Sequence, residues 1–187
     1  MHHMDPGVDT GDIIAQMAVP VSERETAREV YDRCTAAGRY LFERHLPLLL
    51  EGRAPRRSQP VEGGSYYRAG YPFDRWVDWS RSAEQIARFV RALTFPPFPS
   101  ARTSFRGREL EVCHPVWPCE ERGAWREGEV IDIRPPYATF ATGDGSLIVR
   151  TMRVEGQELP ASEALWRLGC SAGAVLETVP WVKKQAA

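Results

Sequence analysis

Apolar residues recur at helical spacing in the first quarter of the chain. Ser22 is followed three residues later by Glu25, which is the spacing of a capping box at a helix N-terminus. After this pair, apolar positions follow the helical repeat: Ala27, Val30, Tyr31, Cys34, Ala37, Leu41 and Leu48. The pattern predicts a helix from about Glu23 to residues 48–50, ending at Glu51-Gly52.

A second helical pattern begins near residue 83. Ser80 or Ser82 is placed to cap it, and the prolines of residues 95–99 end it. Its apolar positions form one face: Ala83, Ile86, Phe89, Val90 and Leu93. We expect the aromatic side chains of this region to be core residues: Trp79, Phe89, Phe95 and Phe98. On the polar face, Arg88 and Arg91 are expected to pair with Glu84.

The remaining pattern is β-rich. A strand is predicted at 13–21, and further strands at 103–105, 109–114, 129–133, 137–142 and 146–154. Arg106-Gly107-Arg108 and Gly143-Asp144-Gly145 have the composition of tight turns. A short helix is predicted at 161–168, closed by Gly169. Several short strands with tight turns predict a small antiparallel barrel. Residues 53–74 lack periodicity and predict a linker that packs through aromatic side chains: Tyr66, Tyr67, Tyr71 and Phe73.

The charge balance limits the kinds of partner. The 187 residues carry 24 Lys and Arg against 25 Asp and Glu, and residues 75–187 carry 15 against 14. Proteins that hold nucleic acid mainly by neutralising phosphates show a basic excess, so a polyanion site here would be a local patch. The compact basic cluster of Arg53, Arg56 and Arg57 is the candidate. No apolar run approaches the length of a membrane span, and the N-terminus does not resemble a signal peptide.

The four cysteines do not form a metal-binding pattern. Cys113-His114 and Cys119 lie close together, but there is no Cys-x-x-Cys pair and no second ligand pair at zinc spacing. We therefore expect no metal site, and reduced, buried or half-buried thiols in the reducing cytoplasm.

Three segments resemble the 10-formyltetrahydrofolate-dependent formyltransferases, whose members include methionyl-tRNA formyltransferases and amino-sugar N-formyltransferases. Residues 3–14 (HMDPGVDTGDII) resemble the last catalytic loop of that family and the strand after it. Residues 25–27 (ETA) with the following helix resemble the closing helix of the catalytic domain. Residues 77–86 (VDWSRSAEQI), with Arg91-Ala92, resemble the helix that opens the C-terminal domain. Residues 141–145 (ATGDG) fit a turn in that domain.

The resemblance implies an α+β fold in three parts. Residues 1–52 would be the tail of a Rossmann-like formyltransferase catalytic domain, with the order loop, strand, helix. Residues 53–76 would be the linker. Residues 77–180 would form a small antiparallel OB-like β-barrel domain with an N-terminal helix.

The resemblance also implies candidate site residues. Asp9 takes the position of a catalytic aspartate, whose carboxylate would orient a histidine and stabilise its cation. Asp5 and Gly7 would shape the folate-side wall. The asparagine and histidine that the family places upstream are not matched, and the chain contains no asparagine. We therefore expect a C-terminal portion that is inactive alone. In that case Asp9 would only hydrogen-bond turn amides.

The implied formyl donor is 10-formyltetrahydrofolate, and the implied acceptor is initiator methionyl-tRNA or a small amine such as an amino sugar. Methionyl-tRNA is favoured, which would place the protein in translation initiation. A missing N-terminal catalytic half is the further expected partner. Two other hypotheses remain open: a non-catalytic OB-like binding module, and an inactive remnant with an exposed sheet edge.

Overall fold

The computed structural model describes residues 1–60 and 70–181, which form two compact units. Residues 1–22 and 28–60 make up the N-terminal unit, and residues 23–27 and 70–181 make up the C-terminal unit. Tyr66 and Tyr67 of the predicted linker lie outside the described residues. None of the helices in the described ranges combines the length and apolar character that a membrane span needs.

Helix α1 (Ala27–Leu50) begins four residues later than the sequence pattern predicts. Thr26 and Glu29 repeat the Ser/Thr-x-x-Glu spacing of the pair at 22 and 25, and the helix begins directly after Thr26. The predicted C-terminal end is confirmed: Gly52 has φ of 69° and the Arg53 amide donates to the Leu48 carbonyl at 2.8 Å. No residue of α1 is buried.

The strand predicted at 13–21 is wrong. Only Ile13 forms bridges, one to His2 and one to Arg57. The Ile13 amide donates to the Arg57 carbonyl at 2.8 Å, and the Arg57 amide donates back at 3.1 Å. A strand is stabilised by pairing along its whole length. Among the described residues, however, the neighbouring segments pair with 13–21 only through His2 and Arg57. The β-forming composition of 13–21 is therefore not sufficient to build a ladder.

The C-terminal unit is built on an antiparallel sheet. Its strands are β1 (Ala101–Phe105), β2 (Arg108–Cys119), β3 (Val130–Arg134), β4 (Tyr137–Ala141), β5 (Ser146–Val154) and β6 (Gln157–Pro160). They pair in the order β1-β2-β5-β4-β3, with β6 also on β5. The sequence predicts these strands except β6, and it ends β2 too early. A bulge between Cys113 and Val116 lets β2 continue past its prolines.

The sheet is not closed into the predicted barrel, because β1 and β3 do not pair among the described residues. Residues 173–177 (the bridging segment) lie in the gap. On one side the Leu176 amide donates to the Gly128 carbonyl at 2.9 Å, and on the other the Glu177 amide donates to the Ser104 carbonyl at 2.8 Å. Irregular backbone after α3 (Ala161–Arg167) therefore links the two end strands, in place of a direct ladder.

Helix α2 (Ala83–Ala92) packs on this sheet as the sequence predicts. The Ser82 hydroxyl accepts from the Gln85 amide at 3.1 Å, and the Gln85 side chain accepts from the Ser82 amide at 3.2 Å. Trp79 is fully buried, and its Nε1 donates to Thr103 Oγ1 at 3.0 Å. The core placement of Phe95 and Phe98 is wrong: Phe95 is half-buried, Phe98 is 50% exposed, and their rings pack against each other outside the core.

The bridging segment depends on Glu177, whose carboxylate accepts from Ser104 Oγ at 2.5 Å and from the Gly107 amide at 3.1 Å. These hydrogen bonds lower the pKa of Glu177, the Ser104 bond most strongly. For Glu177→Gln we expect faster hydrogen exchange at the amide of residue 177 at pH 4.5 and above, where the wild-type carboxylate is ionised, and the difference should disappear only as the pH falls through the lowered pKa of Glu177. Glu155→Gln, at an exposed pair with Arg108, is the control. Equal exchange in all three proteins would contradict this role.

Candidate functional site

The predicted site residues share one exposed loop of the N-terminal unit. Asp5 holds this loop: its Oδ1 accepts from the Gly7 amide at 3.1 Å and from Thr10 Oγ1 at 2.6 Å. A Cβ atom on Gly7 would lie 2.1 Å from Thr10 Oγ1, so a larger residue there would displace the hydroxyl that binds Asp5. The Asp5 carboxylate is thus used in shaping the loop.

Asp9 differs from Asp5 in its surroundings. It is exposed and has a φ of 55°, a left-handed conformation that aspartate tolerates better than most residues. Its carbonyl accepts from Gln59 Nε2 at 2.9 Å. Its carboxylate accepts no hydrogen bond within residues 1–60 and 70–181. Turn bonding, the alternative role considered for Asp9, is therefore performed by Asp5.

The rings of the two N-terminal histidines contact backbone carbonyl oxygens of the same unit. His3 Nε2 lies 3.1 Å from the Pro55 carbonyl oxygen, and His2 Nδ1 lies 2.9 Å from the His3 carbonyl oxygen. Neither ring is hydrogen-bonded to Asp9 in the part of the chain that the structure describes. No sequence pattern marks Gln59 as a site residue. Its side chain nevertheless holds the loop in place by donating to the carbonyls of Asp9 and Gly11.

The basic cluster is partly neutralised. Arg53 pairs with Glu51, Arg56 Nη1 lies 3.3 Å from Asp12 Oδ2, and Arg57 hydrogen-bonds to Gln16. In the C-terminal unit, Glu84 pairs with Arg88 at 3.0 Å and with Arg91 at 3.3 Å, which confirms the predicted salt bridges. The local positive charge at both places is smaller than the arginine count indicates.

The Ala-Thr-Gly-Asp-Gly segment does more than form a turn. Asp144 Oδ1 accepts from the Ala83 amide at 2.8 Å and so caps α2 from outside the helix. The Gly143 amide donates to the Arg81 carbonyl at 2.9 Å. A Cβ atom on Gly143 would lie 2.0 Å from the Ser80 carbonyl oxygen. The segment therefore docks the start of α2 on the sheet.

The cysteines show no catalytic arrangement. Burial raises the pKa of both the Cys113 and Cys170 thiols to about 11, which makes them poor nucleophiles. Cys119 is half-buried, and Cys34 is exposed, contrary to the expectation for it. Within residues 1–60 and 70–181, no three His, Cys, Asp or Glu side chains are grouped to hold a metal ion.

Residues 72–168 match the family model described as "Formyl transferase, C-terminal domain", and the chain belongs to the formyltransferase family. It is 35% identical to methionyl-tRNA formyltransferase of Symbiobacterium thermophilum over 155 residues, which are 82% of this chain and 47% of that protein. It is 33% identical to methionyl-tRNA formyltransferase of Pelotomaculum thermopropionicum over 92% of this chain and 55% of that protein. The chain spans about half the length of the curated relatives it matches.

Two solved structures share the fold. HypX from Aquifex aeolicus, in complex with tetrahydrofolic acid, has a TM-score of 0.63 and 21% identity, over 86% of this chain and 28% of HypX. An N-formyltransferase from Helicobacter canadensis, in complex with folinic acid and dTDP-3-aminofucose, has a TM-score of 0.57 and 21% identity, over 79% of this chain and 52% of that chain.

Proposed function

We propose that the chain is the C-terminal part of a formyltransferase that transfers the formyl group of 10-formyltetrahydrofolate to an amine in the cytoplasm. Methionyl-tRNA is the preferred acceptor, since the curated relatives described above carry that name. The observation that carries the proposal is the pair of aspartates in the loop. Asp5 is committed to shaping the loop, and the exposed Asp9 carboxylate remains available for chemistry.

The described residues fit one wall of such a site. Asp9 offers an unengaged carboxylate, and Gly7 leaves room for Thr10, whose hydroxyl binds Asp5. When bound, 10-formyltetrahydrofolate supplies the formyl group. Asp9 would accept a hydrogen bond from a neighbouring histidine, which orients its ring. That histidine would take the proton which the acceptor amine loses, and Asp9 would stabilise the resulting cation. Asp5 and Gly7 would shape the folate-side wall.

We also propose that a separate catalytic half supplies the asparagine and histidine, and that residues 1–52 complete its Rossmann-like domain. Helix α1 supports it, because no residue of α1 is buried and its large apolar side chains are substantially exposed: Tyr31, Tyr40, Phe42, Leu46 and Leu50. Isolated helices are marginally stable in water, and most helices are stabilised by packing an apolar face. A catalytic half would cover this surface.

An amino-sugar acceptor is the second candidate, because the Helicobacter canadensis structure is in complex with dTDP-3-aminofucose. The chain would then be part of an N-formyltransferase that acts on a small amine. The two candidates are separated by supplying methionyl-tRNA or a nucleotide-linked amino sugar to the same reconstituted protein.

The test is formyl transfer measured for the full chain with and without the N-terminal segment of the Pelotomaculum thermopropionicum relative, which is cut where its similarity to this chain begins and so lacks its own counterpart of residues 1–52. We expect no turnover by either part alone and turnover by the pair. Asp9→Asn should lower the rate of the pair by about a hundredfold or more, as expected for loss of an acid–base group. Glu155→Gln, at an exposed salt bridge of the C-terminal unit, should leave it unchanged. Turnover by the chain alone, or a pair unaffected by Asp9→Asn, would contradict the proposal.

A further inference from the structure

A cavity of about 670 Å³ opens on the sheet of the C-terminal unit. Its lining follows one row of cross-strand neighbours. Trp117 of β2 is opposite Ile148 of β5, which is opposite Thr139 of β4, which is opposite Asp132 of β3. Side chains in register across four strands share one face, so the cavity is a concave surface of the sheet itself. Its volume lies in the range of small-molecule sites.

One wall of this cavity is aromatic. Trp117 is 42% exposed and Tyr137 is 38% exposed, although both are large apolar side chains. Their ring centroids are 6.0 Å apart and the planes meet at 69°, an edge-to-face arrangement. Ile131 and Ile148 extend the apolar surface. The exposed pair therefore offers an apolar platform to a ligand, with Trp117 and Tyr137 presenting rings at an angle to one another.

The lining of the cavity includes a buried serine. Ser146 is 1% exposed, lines the cavity, and its Oγ has no hydrogen-bond partner in the described part of the chain. The residues opposite Ser146 on the neighbouring strands are Cys119 and Ala141, and neither hydrogen-bonds to its hydroxyl. A buried hydroxyl without a partner is costly, so a local shift of the lining that exposes Ser146 to a polar atom of a ligand would be favourable.

The charges of the lining decide the class of ligand. Asp132 Oδ2 and Arg134 Nε are 2.6 Å apart, and Glu121 adds a second carboxylate, so acids outnumber bases. Such a lining disfavours phosphate groups. The adjacent carboxylate and guanidinium offer an acceptor beside a donor, which suits neighbouring hydroxyl groups.

We propose that this cavity binds a neutral carbohydrate. One C–H face of a pyranose ring lies on Trp117, and its hydroxyls bind Asp132 and Arg134. The apolar platform, the hydroxyl-binding pair and the acidic lining together match a ligand with an apolar face, many hydroxyls and no negative charge. The site is independent of formyl transfer and does not rest on the function proposed above.

The test is saturation-transfer NMR on the full chain, with glucose, galactose, maltose and lactose each at millimolar concentration. We expect transfer to the ring protons of at least one sugar. Trp117→Ala should weaken binding about tenfold, since an aromatic stack contributes on the order of 1 kcal/mol. Asp132→Asn, which preserves the side-chain shape, should weaken binding as well. Trp166→Ala, at a 77% exposed tryptophan that does not line this cavity, is the matched control.

Several results would overturn the proposal. These are the absence of transfer to all four sugars, equal transfer in the wild type and both cavity variants, or an equal loss in Trp166→Ala. Transfer to adenosine or uridine without transfer to any sugar would assign the cavity to nucleobases instead. The one-dimensional proton spectrum of each variant checks that it is folded. If Trp117→Ala is not folded, Asp132→Asn decides alone.

Discussion

An alanine at position 143 is expected to lower the free energy of unfolding of the C-terminal unit by about 3 kcal/mol. The added methyl would lie 2.0 Å from the Ser80 carbonyl oxygen, where neither backbone can give way cheaply. Moving the turn would also break the Gly143 amide bond to Arg81 and draw Asp144 away from the Ala83 amide. The start of α2 would separate from the sheet. Urea unfolding followed by far-UV circular dichroism measures the loss.

Gly38→Ala is the matched control for this substitution. Gly38 lies within α1, and a Cβ atom there would meet nothing within 4 Å. Because alanine favours helix over glycine, this variant should be neutral or stabilising by up to about 1 kcal/mol. If Gly143→Ala unfolds at the same urea concentration as Gly38→Ala, the docking role of the 141–145 segment is wrong.

Asp78→Ala is expected to destabilise the C-terminal unit by a similar amount, about 3 kcal/mol. Asp78 is 1% exposed, and its carboxylate accepts from Ser80 Oγ at 2.5 Å, from Arg81 Nε at 3.1 Å and from the Trp181 amide at 2.9 Å. Without it, these donors lose their partner. Trp181 would lose an anchor, and its stacked contact with Phe73 at 5.0 Å would loosen.

Glu163→Ala serves as the control for Asp78. It removes an exposed pair with Arg167, and such pairs contribute about 0.5 kcal/mol or less. Thermal unfolding of both variants is compared with the wild type. A melting temperature of Asp78→Ala equal to that of Glu163→Ala would refute the anchoring role of Asp78.

The same carboxylate predicts a pH dependence. Burial raises the pKa of Asp78, but the hydrogen bonds from Ser80, the Trp181 amide and Arg81 outweigh it and hold the pKa below its ordinary value. A lowered folded-state pKa means that the stabilisation is present above the unfolded-state pKa, about 3.9, and is lost as the pH falls through the folded-state pKa. Asp78→Asn should therefore show a shallower fall in stability below about pH 4 than the wild type.

Local patterns account for most of the C-terminal unit. The Ser82 cap, the apolar face of α2 and the Arg106-Gly107 turn are all encoded within a few residues, and the structure has them as predicted. Helix α1 shows the limit of such signals. Its capping spacing occurs twice, at 22 and 25 and at 26 and 29, and the sequence does not distinguish between them.

Local sequence patterns do not reveal structural features that depend on residues far apart along the chain. The strand at 13–21 fails because its neighbours contribute single residues, and the bridging segment has no strand-like composition although it links β1 to β3. Strand β6 could have been found from Glu155-Gly156, which forms a tight turn with φ of 50° and 80°. Alternation in β2 is interrupted by prolines and a bulge, so the position of Trp117 over a cavity required the register.

The candidate loop was predicted by residue type but not by role. The sequence marks Asp5 and Asp9 equally, as acidic residues in a turn rich in glycine. Their difference comes from Thr10 and Gly7, which engage Asp5, and from Gln59, some 50 residues away, which holds the backbone at Asp9. Which carboxylate is engaged depends on the folded loop and cannot be read from spacing.

The bridging segment also sets the order in which the C-terminal unit can be assembled during synthesis. Ser104 and Glu177 are 73 positions apart. During synthesis, the residue that binds Ser104 of β1 is therefore translated long after β1 itself. Hairpins such as β1–β2 can form early because their contacts are local. Until residue 177 emerges, however, the ends of β1 and β3 remain open to other chains, and the nascent protein is most prone to aggregation in that interval.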